Sequence, residues 1–435
     1  MNFKVVAIIG RPNVGKSTLF NRIIGRRLAV EHPRPGVTRD NHFAETNWAD
    51  SSFLLVDTGG IDPDSSDDLM EKIGQRAFGA ALASDRVVFL VDVKTGLTDW
   101  DREIAKSLKK SGRPVTLAVN KVDNPALQAE AAQFYGLGFP DLVPISAEHG
   151  LNIADLLEKV TEGFEPEPEE TLTPDLSIAI VGRPNVGKST LLNLLIGQEK
   201  VLTHHQPGTT RDAIDSYLQI GARTIRLFDT AGLMRPAKVT DEIVFYSALR
   251  TERAIRGSQV CLLLIDAAEG PVRQDTRIID RVFELGRGLL VAANKWDLMK
   301  TGQVGWRRFS QSLIEFHPAL AYTPRLRLSA LNREGHKRVL SEVFRVAANH
   351  KRTIKTAALN RFLQDAVKKT PPPASKGRIL KMNYITQTGN SPPRFIIFTN
   401  HPKAVKDNYR RYLLQRMRDS FDLSGIPIEL KFRRK

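Results

Sequence analysis

The nonapeptide Gly-Arg-Pro-Asn-Val-Gly-Lys-Ser-Thr occurs twice in this chain, at positions 10–18 and again at 182–190. Both copies fit G-x-x-x-x-G-K-[ST], the pattern of a loop whose backbone amides surround phosphate oxygens. The two copies begin 172 residues apart, about the length of one α/β domain. An identical sequence at domain spacing therefore predicts a duplicated nucleotide-phosphate site.

The residue types in this loop indicate separate tasks. Lys16 and Lys188 are expected to reach the β- and γ-phosphates, while the hydroxyls of Ser17 and Ser189 ligate Mg²⁺. Each copy follows an apolar run and opens a helical pattern, which makes a chance match a weak alternative. The predicted nucleotide-binding residues of the two loops are Gly10, Arg11, Pro12, Asn13, Val14, Gly15, Lys16, Ser17 and Thr18, and Gly182, Arg183, Pro184, Asn185, Val186, Gly187, Lys188, Ser189 and Thr190.

A second repeated motif, Asn-Lys-x-Asp, indicates which base is bound. Its carboxylate can accept hydrogen bonds from N1–H and from the exocyclic amine of guanine, a donor pair that adenine lacks. The stem of its lysine can lie over the base, and a Ser-Ala pair at the end of a further strand is expected to complete the pocket. The predicted guanine-site residues are Asn120, Lys121, Val122, Asp123, Ser146 and Ala147, and Asn294, Lys295, Trp296, Asp297, Ser329 and Ala330.

A third repeated motif, Asp-Thr-x-Gly, is expected to sense the γ-phosphate. Its aspartate can hold Mg²⁺ through water and its glycine amide can approach the phosphate closely. An upstream threonine is placed to add a hydroxyl to Mg²⁺, and both elements keep the 172-residue spacing. These loops are therefore interpreted as switches that γ-phosphate orders and hydrolysis releases. The residues of the predicted switches are Asp57, Thr58, Gly59, Gly60 and Ile61 with Thr38, and Asp229, Thr230, Ala231, Gly232 and Leu233 with Thr210. The predicted metal ligands are Ser17, Thr38, Asp57, Ser189, Thr210 and Asp229.

The position after each Asp-Thr-x-Gly motif is aliphatic. Ras-type GTPases use a glutamine to orient the attacking water, whereas Ile61 and Leu233 cannot hydrogen-bond to water. Asn13 and Asn185 offer side-chain carbonyls near the phosphates, where a monovalent cation could supply positive charge in the transition state. The alternative is that each asparagine only shapes its loop. The candidate catalytic residues are Lys16, Lys188, Asn13, Asn185, Thr38 and Thr210.

Apolar runs of strand length alternate with helical patterns through both repeats, for example at 5–9, 87–91 and 115–119 and again at 178–181 and 260–265. This alternation predicts an α/β fold of two nucleotide-binding domains with mostly parallel sheets. Between them lies an acidic, proline-rich stretch that cannot bury a core. The predicted boundaries are 1–163 for the first G domain, 164–174 for the linker, 175–349 for the second G domain and 350–435 for a third domain.

Nearly all of the net charge of +16 lies in the third domain, because residues 351–435 contain 20 Lys and Arg against 5 Asp and Glu. Its α-β-β-α-β pattern predicts a small α+β domain. We interpret this excess of positive charge as a binding surface for a polyanion such as RNA, because cations that neutralise phosphates release counterions and so favour binding. The alternative is a basic surface that is only well solvated.

The cysteine count and the hydropathy pattern indicate in which cell compartment the protein is expected. One cysteine, Cys261, excludes an internal disulfide and is typical of a reducing compartment. We find neither a signal-peptide pattern nor an apolar run long enough to span a membrane. A cytoplasmic protein is expected.

Taken together, these motifs resemble the bacterial Der family of GTPases, also called EngA. The resemblance covers essentially the whole chain and includes Tyr-Ile-Thr-Gln at 384–387, Ser-Pro-Pro-Arg-Phe at 391–395, Tyr-Arg-Arg-Tyr at 409–412 and Gly-Ile-Pro-Ile at 425–428. It implies a KH-like third domain, K⁺-stimulated hydrolysis, a role in assembly of the large (50S) ribosomal subunit and contact with ribosomal RNA. KH modules clamp RNA through a G-x-x-G loop; residues 351–435 contain none, so RNA contact is expected through basic surface.

The sequence therefore predicts a Mg²⁺-dependent GTPase that hydrolyses GTP to GDP and phosphate and acts as a nucleotide-switched assembly factor. We expect a monomer, and an accessory protein of unknown identity could be a further partner. Two alternatives remain: an RNA-binding scaffold whose nucleotide sites are structural, and a GTPase that serves tRNA modification.

Overall fold

The computed structural model describes residues 4–27, 43–49, 51–59, 69–164, 174–198, 200–202, 216–228, 242–299, 302–373 and 380–434. The chain divides into two compact units: residues 1–171 with 237–253, and residues 172–236 with 254–435. Each unit contains one of the two phosphate-binding loops. No helix within the described ranges is long and apolar enough to cross a bilayer.

The first unit is built on a six-stranded sheet. Its strands are β1 (Lys4–Ile9), β2 (Phe43–Trp48), β3 (Ser51–Asp57), β4 (Arg86–Asp92), β5 (Val115–Asn120) and β6 (Leu142–Pro144). They lie in the order β2-β3-β1-β4-β5-β6 and are parallel except for the β2–β3 pair. The helices are α1 (Lys16–Arg27), α2 (Leu69–Leu82), α3 (Asp99–Ser111), α4 (Pro125–Glu130) and α5 (Ile153–Thr161), with a 3₁₀ helix at Ala131–Leu137.

The central strands of this sheet are buried on both faces, as a parallel sheet covered by helices requires. Alternate residues of β1 contribute to two separate cores: Val6 and Ile8 pack on one face, and Ala7 and Ile9 on the other. The carboxyl ends of β1, β3, β4 and β5 lie at one edge of the sheet. Loops at this edge are where open α/β sheets bind ligands.

The second nucleotide-binding domain repeats this plan with seven strands. They are β7 (Leu176–Val181), β8 (Lys200–Leu202), β9 (Ser216–Ile220), β10 (Arg223–Phe228), β11 (Val260–Asp266), β12 (Gly288–Asn294) and β13 (Arg325–Arg327). Their order is β13-β12-β11-β7-β10-β9-β8, with antiparallel pairing only at β10–β9 and β9–β8. The helices are α6 (Lys188–Gln198), α8 (Arg273–Glu284), α9 (Gly302–Phe316) and α10 (His336–His350), with 3₁₀ helices at Trp296–Leu298 and Pro318–Ala321. Between α6 and α8 in the sequence lies α7 (Glu242–Gly257), whose residues up to 253 belong to the first unit. The boundary between the two units falls within α7.

The C-terminal segment forms a three-stranded sheet with two long helices. Its elements are α11 (Thr356–Lys369), β14 (Met382–Asn390), β15 (Pro393–Thr399), a 3₁₀ helix (Pro402–Ala404), α12 (Asp407–Phe421) and β16 (Glu429–Arg434). Strand β15 pairs antiparallel with β14 and parallel with β16. The predicted α-β-β-α-β order is confirmed.

This C-terminal segment packs onto the second nucleotide-binding domain within one unit. A single apolar cluster continues from the β7 and β11 strands through Val343 and Val346 of α10 to Leu423 and Ile426. A backbone hydrogen bond also connects the two parts: the amide of Leu289 at the start of β12 donates to the carbonyl of Gly425 over 2.6 Å. Gly425 has a φ of +74°, and a Cβ there would lie 2.8 Å from the Leu289 carbonyl oxygen, so the close approach favours glycine.

An arginine stabilises the same junction. The Arg418 guanidinium lies 3.5 Å from the centroid of the Tyr322 ring and donates to the carbonyls of Leu423 and Ile426. Burial lowers the pKa of Arg418 to about 10. The cation is thus enclosed by an aromatic face and backbone oxygens, both of which favour an arginine.

The fold class predicted from sequence, α/β with mostly parallel sheets followed by an α+β domain, is confirmed. Three strands, β2, β8 and β9, were not predicted. Strand β2 reads Phe-Ala-Glu-Thr-Asn-Trp and lies at the sheet edge with several half-exposed positions, so it lacks the continuous apolar run of a buried parallel strand.

Candidate nucleotide sites

Each phosphate-binding loop connects a buried strand to a helix. In the first unit β1 ends at Ile9 and α1 begins at Lys16; in the second β7 ends at Val181 and α6 begins at Lys188. The free amides and the positive end of the helix dipole thus point toward the sheet edge, an arrangement that attracts anions.

The two loop lysines adopt the same position. The Nζ atom of Lys16 donates to the carbonyls of Gly10 and Arg11, each over 2.8 Å. Lys188 donates to the carbonyls of Gly182 and Arg183 over 2.8 and 2.5 Å. Each ammonium group therefore lies across the mouth of its own loop.

Burial lowers the pKa of Lys188 to about 8. Within the described part of the chain its hydrogen-bond partners are two neutral carbonyls, and no carboxylate forms an ion pair with it. A buried cation with only neutral acceptors is stabilised by an anion. A phosphate group beside Lys188 would restore its pKa toward the ordinary value.

The second glycine of each loop is required by a close approach of another side chain. Gly15 and Gly187 have φ angles of +99° and +94°, and a Cβ on either would overlap the side-chain amide of Asn120 or Asn294. Those amides instead donate to the carbonyls of Val14 and Val186, both over 2.8 Å. Glycine thus lets the Asn-Lys-x-Asp motif touch the phosphate loop.

The same two asparagines also hold the Ser-Ala motifs. The Oδ1 atom of Asn120 accepts from the amide of Ala147 over 2.9 Å, and that of Asn294 accepts from Ala330 over 3.0 Å. Both asparagines are buried. One side chain in each unit therefore joins the phosphate loop, the end of β5 or β12, and the loop at the end of the next strand.

Hydroxyl and carboxylate oxygens meet beside the first phosphate loop. Ser17 Oγ donates to Asp57 Oδ2 over 2.6 Å, and the amide of Gly59 donates to Asp57 Oδ1 over 2.8 Å. A Cβ on Gly59 would lie 2.9 Å from Lys16 Cε and 3.1 Å from Asp57 Oδ1, so the loop is closely wrapped around these groups. Paired hard oxygen donors of this kind fit Mg²⁺.

Two aspartates that the sequence analysis did not select pair with the motif lysines. Lys121 Nζ lies 2.6 Å from Asp92 Oδ2 and also donates to the Asn13 carbonyl; Lys295 Nζ lies 2.7 Å from Asp266 Oδ2. Burial tends to raise the pKa of Asp266, but the Lys295 ammonium and the Ala268 amide outweigh it and hold that pKa below its usual value. A signal was present, because Asp92 and Asp266 are 174 residues apart, as the two Asn-Lys-x-Asp motifs are.

The carboxylate predicted to recognise guanine in the first unit is held on both sides. Asp123 Oδ1 accepts from Ser146 Oγ over 2.8 Å, and Oδ2 pairs with Lys94 Nζ at 2.7 Å. These two interactions hold the pKa of Asp123 below its usual value, and the hydrogen bond from Lys94 has the larger effect. Lys94 was also missed from sequence.

The arginine of each phosphate loop is likewise anchored to a buried carboxylate. Arg11 Nε lies 3.4 Å from Asp101, and Arg183 Nε lies 3.4 Å from Asp275, at the start of α3 and α8. Both aspartate side chains are fully buried. Arg183 also pairs with Glu269 at 2.9 Å.

Other predicted site residues fall into two groups. The described loops and helix starts contain Pro12, Thr18, Pro184, Ser189 and Thr190. Thr58 Oγ1 donates to the Ile8 carbonyl. Ser329 Oγ accepts from the amide of Asn332. Val122, Trp296 and Asp297 lie just after β5 and β12. Nine predicted residues lie outside the described residues: Thr38, Gly60, Ile61, Thr210, Asp229, Thr230, Ala231, Gly232 and Leu233.

Comparison with known proteins gives matches along the whole chain. The family model described as "50S ribosome-binding GTPase" matches residues 5–121 and 177–295. The model described as "KH-domain-like of EngA bacterial GTPase enzymes, C-terminal" matches residues 353–433. The duplicated site and the C-terminal segment thus match separate, compatible models.

Similar full-length proteins carry one name, GTPase Der. The protein from Clostridium novyi is 43% identical over 436 residues, covering 100% of both chains. Those from Desulforudis audaxviator and Caldicellulosiruptor saccharolyticus are 41% and 42% identical, covering 100% and 99% of this chain and 99% and 98% of theirs. With its two built nucleotide sites and its KH-like C-terminal domain, the chain belongs to the Der (EngA) family of bacterial GTPases and is a GTP hydrolase.

Proposed function

We propose that both nucleotide sites bind Mg²⁺–GTP and hydrolyse it by in-line attack of water. The single observation that carries this proposal is the repetition of one arrangement in both units: the lysine over its loop and the asparagine that joins three motifs. The proposed domains are 1–163, 175–349 and 350–435, with the linker at 164–174.

In this proposal Lys16 and Lys188 bind the β- and γ-phosphates, and the loop amides orient them. Ser17 and Asp57, with Thr38, would hold Mg²⁺ in the first site; Ser189, Thr210 and Asp229 would do so in the second. The metal supplies charge that offsets the phosphate oxygens. Asp123 and Asp297 accept the guanine N1–H and amine, and Lys121 and Lys295 cover the base.

We further propose that Asn13 and Asn185 bind K⁺ beside the phosphates. Both have left-handed backbones, with φ of +66° and +63°, and exposed side chains. In the part of the chain that is described, neither side-chain amide forms a hydrogen bond, so each carbonyl is available to a cation. Positive charge at this position would stabilise the transition state that Ile61 and Leu233 cannot assist.

The K⁺ proposal predicts that Asn13→Ala abolishes the K⁺-dependent part of turnover at the first site, a fall of about tenfold or more. We would measure hydrolysis in KCl and in NaCl at equal ionic strength, in protein whose second site is silenced by Lys188→Ala. Asn124→Ala, which removes only the cap of α4, is the matched control. A K⁺/Na⁺ ratio unchanged by Asn13→Ala would leave the asparagine as a loop-shaping residue only.

We propose the large (50S) ribosomal subunit and its ribosomal RNA as the partner, bound through the basic C-terminal domain in the cytoplasm by a monomeric protein. Arg394, Lys431 and Arg433 line a cavity of about 300 Å³ on the three-stranded sheet and outnumber its one carboxylate, Glu429, which pairs with Arg394 and Lys431. Tyr384, which stacks on Phe398 with centroids 4.4 Å apart, is exposed on the same sheet. Cations beside an exposed aromatic suit a nucleic acid strand. Any accessory protein would join this complex.

Ribosome binding is expected to weaken steeply with salt and to differ between nucleotide states. Removing one cation that neutralises a phosphate should reduce the salt slope by about one, so Lys431→Ala with Arg433→Ala should reduce it by about two. Lys106→Ala, an exposed lysine of the first unit, should leave the slope unchanged. Sedimentation with ribosomal subunits in GDP and in a non-hydrolysable GTP analogue measures this, and equal binding in both with no salt slope would contradict the proposal.

A further inference from the structure

The two base-recognising carboxylates have different surroundings. In the first site both oxygens of Asp123 are engaged, by Ser146 Oγ and by Lys94 Nζ. In the second site Asp297 is exposed, and no residue of the described ranges hydrogen-bonds to its carboxylate. Two sites with the same motifs therefore differ in how firmly the carboxylate is held.

Ser329, the counterpart of Ser146, donates to no carboxylate within the described ranges, and the other part of the difference traces to a single position. Strands β4 and β11 both end in an aspartate, and the next turn is the same: the amide of Lys94 donates to Asp92 Oδ1 and that of Ala268 donates to Asp266 Oδ1, each over 2.9 Å. The two backbones thus correspond, and the first site carries a lysine where the second carries an alanine. The methyl group of Ala268 cannot reach any carboxylate.

We propose that Lys94 is a specificity-determining residue of the first site. Together with Ser146 it holds the Asp123 carboxylate in the orientation that accepts both guanine donors, so the first site distinguishes guanine from related bases better than the second. This inference rests on the assignment of Asp123 and Asp297 to guanine under Proposed function.

The chemistry allows both sets of hydrogen bonds at once. An ionised carboxylate has about four acceptor positions, two on each oxygen. Ser146 and Lys94 each use one, which leaves one on each oxygen for the N1–H and the exocyclic amine of guanine. A carboxylate fixed before binding loses less side-chain freedom on binding, and preorganisation of this kind increases affinity.

Hypoxanthine provides a sensitive probe, because it keeps N1–H but lacks the exocyclic amine. The ratio of GDP to IDP affinity therefore measures the second hydrogen bond to the carboxylate. A change that only perturbs the fold, or that only alters the long-range charge, would lower both affinities together. Lys94 is half exposed, so its replacement is compatible with folding.

The experiment uses full-length protein with one site silenced, by Lys188→Ala when the first site is measured and by Lys16→Ala when the second is. Fluorescent GDP and IDP analogues are titrated against Lys94→Met, Lys94→Arg and Ala268→Lys. We expect Lys94→Met to lower the GDP/IDP ratio of the first site about three- to tenfold. Lys94→Arg should retain the ratio, and Ala268→Lys should raise that of the second site.

Two controls separate this inference from the function on which it rests. Asp123→Asn must abolish guanine preference at the first site; if it does not, the guanine assignment itself fails. If Asp123→Asn acts as expected, three results would overturn the role of Lys94 alone: an unchanged ratio in Lys94→Met, an equal loss of GDP and IDP affinity, or a gain in GDP affinity. The last would mean that Lys94 competes with the base.

Discussion

Asp297→Asn is expected to change the base preference of the second site from guanine to xanthine. An asparagine amide offers one acceptor and one donor in place of two acceptors, so it faces the guanine amine with a like donor but matches the C2 carbonyl of xanthine. A site that leaves such groups unpaired rejects the wrong base by a factor on the order of 10⁴. Turnover of xanthosine triphosphate (XTP) should therefore appear in this variant.

Asp123→Asn is the matched change in the first site. Because the unchanged site in each variant still uses GTP, total GTP turnover should fall only by the share of the altered site, whereas XTP turnover reports the altered site alone. Steady-state hydrolysis of each nucleotide measures both. GTP turnover that stays at the wild-type level in the double variant would remove both aspartates from base recognition.

Replacing the loop lysine is the second change with a large expected effect. Lys16→Ala and Lys188→Ala each remove a cation positioned over the phosphate loop. Loss of one preorganised donor at the site of developing charge typically costs about 10²- to 10³-fold in turnover. We expect a loss of at least this size at the site that carries the change.

The xanthine variants make this prediction site-specific. In the Asp297→Asn background, Lys188→Ala should abolish XTP turnover while Lys16→Ala leaves it intact; in the Asp123→Asn background the roles reverse. Thermal unfolding of each variant serves as the control for folding. XTP turnover that survives the change in its own site would show that the lysine there does not act on the phosphates.

The sequence was sufficient to predict those elements whose residue pattern is contiguous along the chain. A phosphate loop between an apolar run and a helical pattern predicts both the strand–loop–helix geometry and the place of Lys16 and Lys188 within it. The buried strands were predicted because continuous runs of Val, Ile and Leu have few other folds open to them. The α-β-β-α-β order of the third domain was predicted from alternating apolar runs that lie between helical segments.

Interactions that depend on tertiary structure were not predictable in this way. Lys94 reaches Asp123 only because β4 and β5 are neighbours and the turn after Asp92 directs it there. Asn120 was predicted as a base-site residue, but its two hydrogen bonds to Val14 and Ala147 depend on loops 106 and 27 residues away. Strands β2 and β9 pair antiparallel near the sheet edge, and most of their residues are not fully buried, so neither has the continuous apolar run of a central strand.

The junction at Gly425 has a practical consequence for dissecting the molecule. A fragment ending near residue 350 would keep both phosphate loops, but it would leave the Leu289 amide without its carbonyl and expose the apolar face of α10 that Leu423 and Ile426 cover. An uncovered surface of that kind promotes aggregation. Studies of isolated pieces should therefore keep the second nucleotide site and the KH-like domain on one polypeptide.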